Sequence, residues 1–263
     1  MQIGNYICKE IYGITICKSR LLLQFRELNH FVTTRKVRLE DKKIKELDLS
    51  FNNEDFDKHY KVLFEKLGLS LNKLVFTNQV HGNNIEYVSE EMLTNKYYEN
   101  IIKETDGLIT DVKGIYLVTK YADCVPIIAY DPIKNVVGVA HSGWRGTLIE
   151  TPKHLIIKMV NKFGSDPSNI FVSIGPSIGP ESFEVGKDVA EKFVLKFGGN
   201  YVIEKHGKFY INLWQIVEKQ IAEIGVRNIE VSMIDTFKNI GYFYSYRKEK
   251  TPKRFAVVVG LVE

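Results

Sequence analysis

One stretch, Tyr121 to Gly146, limits the possible folds more than any other. It reads YADCVPIIAYDPIKNVVGVAHSGWRG. Two apolar β-type runs, Val125–Tyr130 and Val136–Ala140, flank the turn Asp131-Pro132-Ile133-Lys134-Asn135. Cys124 precedes the first run and His141 follows the second. In an antiparallel pair the start of one strand lies beside the end of its partner. A thiol and an imidazole are therefore expected at one sheet edge. A glycine-rich turn with one fixed cation, Ser142-Gly143-Trp144-Arg145-Gly146, follows at once.

The remainder of the chain predicts an α+β protein. Tyr6–Cys8, Gly13–Cys17, Leu21–Phe25 and His30–Arg35 read as strands, and residues 36–54 as polar loop. Asp55–Leu67 carries Phe56, Tyr60, Leu63, Phe64 and Leu67 at helical spacing, with Gly68 as the stop. Leu74–Phe76 and Asn83–Val88 are strand-like around the polar break TNQVHG, residues 89–103 read as a charged, helical connection, and a carboxylate turn at Thr105–Gly107 leads into another strand. Helices are expected after Gly146 up to Gly164, over Lys187–Phe197, and over Leu213–Ile224 behind Asn212 as N-cap. His206-Gly207 marks a hairpin, and Arg254–Val262 a closing strand. The irregular alternation with hairpins favours α+β over a doubly wound parallel sheet.

Composition narrows the function classes. With 263 residues, 44% of them hydrophobic, the chain can bury a large core. The net charge of +4 is scattered, without the basic stripe of a nucleic-acid binder. No apolar run is long enough to span a membrane, and the first residues lack the pattern of a secretory leader. Three cysteines argue against a disulfide framework and suit a reducing cytoplasm, with Cys8 and Cys17 expected as buried core thiols.

His81, Cys124 and His141 all fall at strand–turn junctions. Three N and S ligands with a fourth position for water are what a catalytic zinc needs. The spacing alone leaves a second reading open, Cys124 as nucleophile with His141 as base. Asp123, adjacent to Cys124, is a candidate for catalysis or for bonding backbone in the turn. Arg145, entering a helix, is the candidate anion binder. His30, His59, His154 and His206 carry no motif, and six histidines are too few for several copper ions, so copper here would be one ion on the same donors.

TNQVHG, TDGLIT, ADCVPI, VVGVAHSGWRGT, IGPSIGPESFEVG and SYR together resemble the YfiH-type family, also called the laccase-domain or polyphenol-oxidoreductase family, whose members are described as purine nucleoside phosphorylases. The match runs from HFVTTR to the last strand, which implies a single domain over residues 1–263. The resemblance implies a layered α/β/β/α sandwich with mixed, largely antiparallel sheets, similar to the deamidase domain of cytotoxic necrotizing factor toxins. It implies zinc at His81, Cys124 and His141, with copper as a substitute that would support phenol oxidation. It implies phosphorolysis of adenosine, inosine, guanosine and methylthioadenosine, and deamination of adenosine, by a monomer or homodimer. Arg35, Gln79, Ser142, Glu184 and Arg247 are the expected substrate-binding residues, and Glu184, Asp106 or Asp123 the expected proton carrier. Two other classes compete: a metal-free cysteine hydrolase or amidase, for which a role in cell-wall precursor editing has been attributed to the family, and a non-catalytic nucleotide- or metal-binding module. Three positions depart from the family pattern: Ser182-Phe183, Asp235 before Thr236, and Lys253 in place of a glycine.

Overall fold

A computed structural model describes residues 1–38 and 45–262. The central hairpin forms as its sequence requires: Val125–Asp131 pairs antiparallel with Val136–Ser142, with Val125 opposite Ser142 and Pro126 opposite His141. Every residue of both strands is buried. That explains why they read as continuous apolar runs rather than alternating ones. Burial of each Val or Ile there contributes roughly 1.5–3 kcal/mol.

This hairpin is the middle of a six-stranded sheet. Phe171–Ile174 and then Asn228–Val231 lie on one side, and Gly107–Thr110 and then Ile85–Tyr87 on the other. A second sheet of eight strands has Phe255–Leu261 at its heart, between Leu28–Val37 and Tyr116–Tyr121. A small third sheet contains the hairpin Val202–Lys205 and Lys208–Ile211 around His206-Gly207. Most pairings are antiparallel. Leu74–Thr77 beside Tyr116–Tyr121 and Phe171–Ile174 beside Asn228–Val231 are parallel, so the fold is α+β with mixed sheets.

Alternation along the strands sorts side chains into three cores. Leu117, Val257 and Val259 face Leu108, Ile128 and Val139 between the two large sheets. Ile127, Ala129 and Val172 face the other way, onto Leu155, Ile156 and Met159 of helix Thr151–Phe163 and Val217 and Ile221 of helix Leu213–Ala222. Val118, Val258 and Phe76 pack under Tyr60, Leu63 and Phe64 of helix Phe56–Lys66. The layers run helix, sheet, sheet, helix. Gly138 lets the Thr151 helix sit close, since a Cβ there would lie 2.9 Å from Leu155.

Four local expectations change. Leu21–Phe25 is a 3₁₀ turn, Leu22–Gln24, rather than a strand. Residues 89–103 contain only single 3₁₀ turns and the short strand Ile101–Ile102. The segment read as polar loop buries Leu47 and Leu49, while its residues 39–44 lie outside the described part. Cys8 and Cys17 are buried as expected but are not separate thiols. They are directly opposed on neighbouring antiparallel strands and are joined as a disulfide. Register, invisible in the spacing of nine residues, puts the two sulfurs face to face.

Candidate metal centre

The hairpin edge, the TNQVHG break and the TDG turn meet at one place. One ligand atom each from His81, Cys124 and His141 lies within 4.8 Å of the other two. Among the described residues this is the single group of such side chains so arranged. His141 is buried, Cys124 half-buried and His81 exposed. A tetrahedral zinc, with Zn–N about 2.0 Å and Zn–S about 2.3 Å, separates its ligands by about 3.5 Å, so small side-chain rotations would close this trio on an ion. The backbone leaves room for that. A Cβ on Gly143 would fall 2.8 Å from His81 Nδ1 and 3.0 Å from Cys124 Sγ. The donor set and the cradle therefore both fit a soft or borderline metal ion.

Asp106 holds the trio in place. Its carboxylate accepts the Nδ1 side of His141 at 2.9 Å and the backbone N–H groups of Val80, His81 and Gly82 at 3.0, 3.0 and 2.7 Å. Three successive N–H groups converging on one anion form a nest, which accounts for the left-handed backbone of His81 at φ 61°. Burial raises the Asp106 pKa, but His141 and the N–H groups outweigh it and hold the carboxyl below its ordinary value. Such a carboxylate behind a ligating imidazole fixes its orientation. For Cys124, burial opposes ionisation, yet the flanking imidazoles win and bring the thiol down to about 6.

The trio opens into a cavity of about 920 Å³. Phe51, Trp144, Phe183 and Tyr246 line it, with Lys120, Arg247, Lys250 and Arg254. The expected binding residues divide sharply. Arg247 and Gln79 line the cavity. Arg247 donates to the Glu184 carbonyl and lies over the Phe183 ring. Gln79 uses both ends of its amide on the main chain of Lys120, accepting at 3.0 Å and donating at 2.9 Å.

The others stand apart from the cavity lining. Arg35 is held between Glu46 and Glu249, each at 2.8 Å, over the Tyr244 ring. Arg145 is exposed and stacks on Trp144, 4.3 Å from its ring centroid. Ser142 is fully buried against Thr147, and Glu184 turns to Lys208 in an adjoining groove. Asp123 lines the cavity with its carboxylate engaged, one oxygen by Thr236 and the other by the Arg247 N–H, and burial holds its pKa above the ordinary value. Each of Asp106, Asp123 and Glu184, the three expected proton carriers, has at least one carboxylate oxygen already engaged.

Each departure from the family pattern has a local partner. Phe183 lies under the Arg247 guanidinium, and Asp235 accepts from Ser182 at 2.5 Å. Lys253 pairs with Glu46 at 2.8 Å, beside Arg35.

An α+β chain of two large mixed sheets and a small third one, with a His, Cys, His cluster in the wall of a cavity of about 920 Å³, defines the class. The chain belongs to the family described as multi-copper polyphenol oxidoreductase laccase, whose model matches residues 29–262. It is 28% identical over 229 residues to the purine nucleoside phosphorylase YlmD of Bacillus subtilis (strain 168), covering 83% of this chain and 82% of that protein. It is 30% identical over 213 residues to the purine nucleoside phosphorylase YfiH of Escherichia coli (strain K12), covering 80% and 83%. The crystal structure of YlmD from Geobacillus stearothermophilus superposes with a TM-score of 0.88 at 26% identity, over 99% of this chain and 100% of that one. Among the described residues no helix is long and apolar enough to cross a membrane.

Proposed function

We propose that the protein is a zinc-dependent purine nucleoside enzyme, one domain over residues 1–263. In this reading it phosphorolyses adenosine, inosine, guanosine and methylthioadenosine, deaminates adenosine to inosine, and works in the cytoplasm. The observation that carries the reading is the convergence of His81, Cys124 and His141 at the wall of a cavity large enough for a nucleoside. The relatives described as purine nucleoside phosphorylases support the substrate class.

Zinc held by His81, Cys124 and His141 would supply a Lewis acid and a water ionised near neutral pH. The chain's own residues do the remaining work. Asp106 keeps His141 turned toward the cavity and anchors the loop that carries His81. Trp144, Phe183 and Tyr246 offer ring faces to a purine. Arg247, braced by the Glu184 carbonyl, can orient the sugar or an anion.

The test is incubation with adenosine and phosphate, followed for adenine, inosine and ribose 1-phosphate, with and without a chelator. Untagged protein should carry close to one zinc per chain. Cys124→Ala should lose it, with kcat/KM falling about 10³-fold. Full activity after chelation would sink the reading.

One observation favours a second reading. Asp106, His141 and Cys124 form a line in which a carboxylate backs an imidazole beside a thiol of lowered pKa, the arrangement of a cysteine hydrolase. Rapid alkylation of Cys124 by iodoacetamide in untreated protein would favour it. Alkylation only after chelation favours the metal.

A further inference from the structure

Several cations elsewhere in the molecule are neutralised. Arg35 sits between Glu46 and Glu249, Lys253 shares Glu46 with it, and Lys153 pairs with Glu150. The cavity is different. Lys120, Arg247, Lys250 and Arg254 line it, while the one lining carboxylate, Asp123, is engaged by Thr236 and the Arg247 backbone.

Lys120 is half-buried at the end of the Tyr116–Tyr121 strand. Its Nζ lies 3.3 Å from the centroid of the Phe51 ring. The charged group acting on it is another cation, Arg254, and burial together with that neighbour draws the amine down to about 7. Nη1 of Arg254 donates to the Thr251 and Lys253 carbonyls, and its other guanidinium N–H groups remain for a further acceptor. Among the described residues neither side chain has a carboxylate partner, the Asp48 carboxylate taking only the Arg254 backbone N–H at 3.0 Å, and two half-buried neighbouring cations are costly unless an anion joins them. Gln79 clamps the Lys120 main chain, so the residue that carries the amine is anchored to the same loop as His81.

We infer that Lys120 and Arg254, with Lys250 at the rim, form a phosphate subsite beside Phe51, and that inorganic phosphate is its ligand. This rests on the proposed phosphorolysis. There, an oxygen of hydrogen phosphate bonds to the ribose C1′ as the bond from C1′ to the purine nitrogen breaks. The pair of that broken bond leaves with the base. The proton given up by hydrogen phosphate balances the one the base takes, leaving ribose 1-phosphate. In this arrangement Lys120 and Arg254 take the phosphate, and Arg145, exposed and stacked on Trp144, stands outside the cavity lining.

The first test uses the unaltered protein. Acetylation of Lys120 by an amine-reactive ester, mapped by mass spectrometry, should slow about fivefold or more in millimolar inorganic phosphate relative to chloride of equal ionic strength. The second uses Lys120→Met, in which the KM for phosphate should rise about tenfold or more while the KM for nucleoside moves less than about twofold. Lys120→Arg should recover most of that loss. No protection by phosphate, an unchanged phosphate KM in Lys120→Met, or protection by adenosine 5′-monophosphate but not by phosphate would each overturn the inference. Protection without any phosphorolysis would instead leave the subsite standing and remove the proposed activity.

Discussion

His30 and His141 are both enclosed in the two large sheets, at 1% and 4% exposure. For each, burial alone pulls the imidazole pKa down. At His30 nothing reverses it. Neither ring nitrogen has a hydrogen bond of ordinary geometry, Lys18 adds repulsion, and the Ser19 backbone offsets little, so the pKa sits at about 3. At His141 the Cys124 sulfur and the Asp106 carboxylate overcome the same burial and lift it to about 9. Enclosure therefore does not distinguish a working imidazole from a packed one. The carboxylate behind it and the sulfur beside it do.

The strongest way to erase that difference is Asp106→Asn. It removes the anion that gathers His141 and three N–H groups, and zinc affinity should fall about 10–100-fold by competition with a chelator. Unchanged affinity would mean that the carboxylate does not set His141 apart. Gly143→Ala acts on the space instead of the charge. Its methyl group would press on His81 and Cys124, so zinc affinity should drop by about tenfold while the unfolding midpoint of the metal-free protein moves little. The third effect is confined to His30, away from the metal centre. Its folded pKa lies below the unfolded value of about 6.5. The unfolded chain alone binds the proton between about pH 6.5 and 3, so stability present above pH 6.5 is lost as pH falls, by up to about 1.4 kcal/mol per unit. Urea unfolding of His30→Leu should show a flatter acid limb with zinc binding untouched. An equally steep limb would assign it to other groups.

Much of the fold was legible because local pattern and tertiary demand agree. The two runs around Asp131–Asn135 are apolar throughout since helices cover one face and the second sheet the other. Asn212 caps its helix through Gln215 N, as its position suggested. The Cys124–His141 edge followed from hairpin register alone. What escaped depended on contacts between distant positions. The anchoring role of Asp106 needs a strand to bring it to residues 80–82 and 141, and the one hint was a carboxylate beginning a strand. Arg35 and Lys120 both fall near the ends of strand-like runs in the sequence, yet one is enclosed by Glu46 and Glu249 and the other faces a cavity. The Cys8–Cys17 bond rests on cross-strand register, which counting cysteines does not reveal. Asp235 looks like an isolated departure until its 2.5 Å bond to Ser182, 53 positions earlier, is seen.

The Gln79 clamp gives the cavity a built-in ruler. Because one side chain hydrogen-bonds both main-chain groups of Lys120 and the same loop reaches His81 two residues later, the length between the two main-chain segments that carry the amine and the imidazole is set directly, and only the side chains themselves add slack. A ligand that touches both ends must match that length, so selection among small molecules can be by reach as well as by the groups they display.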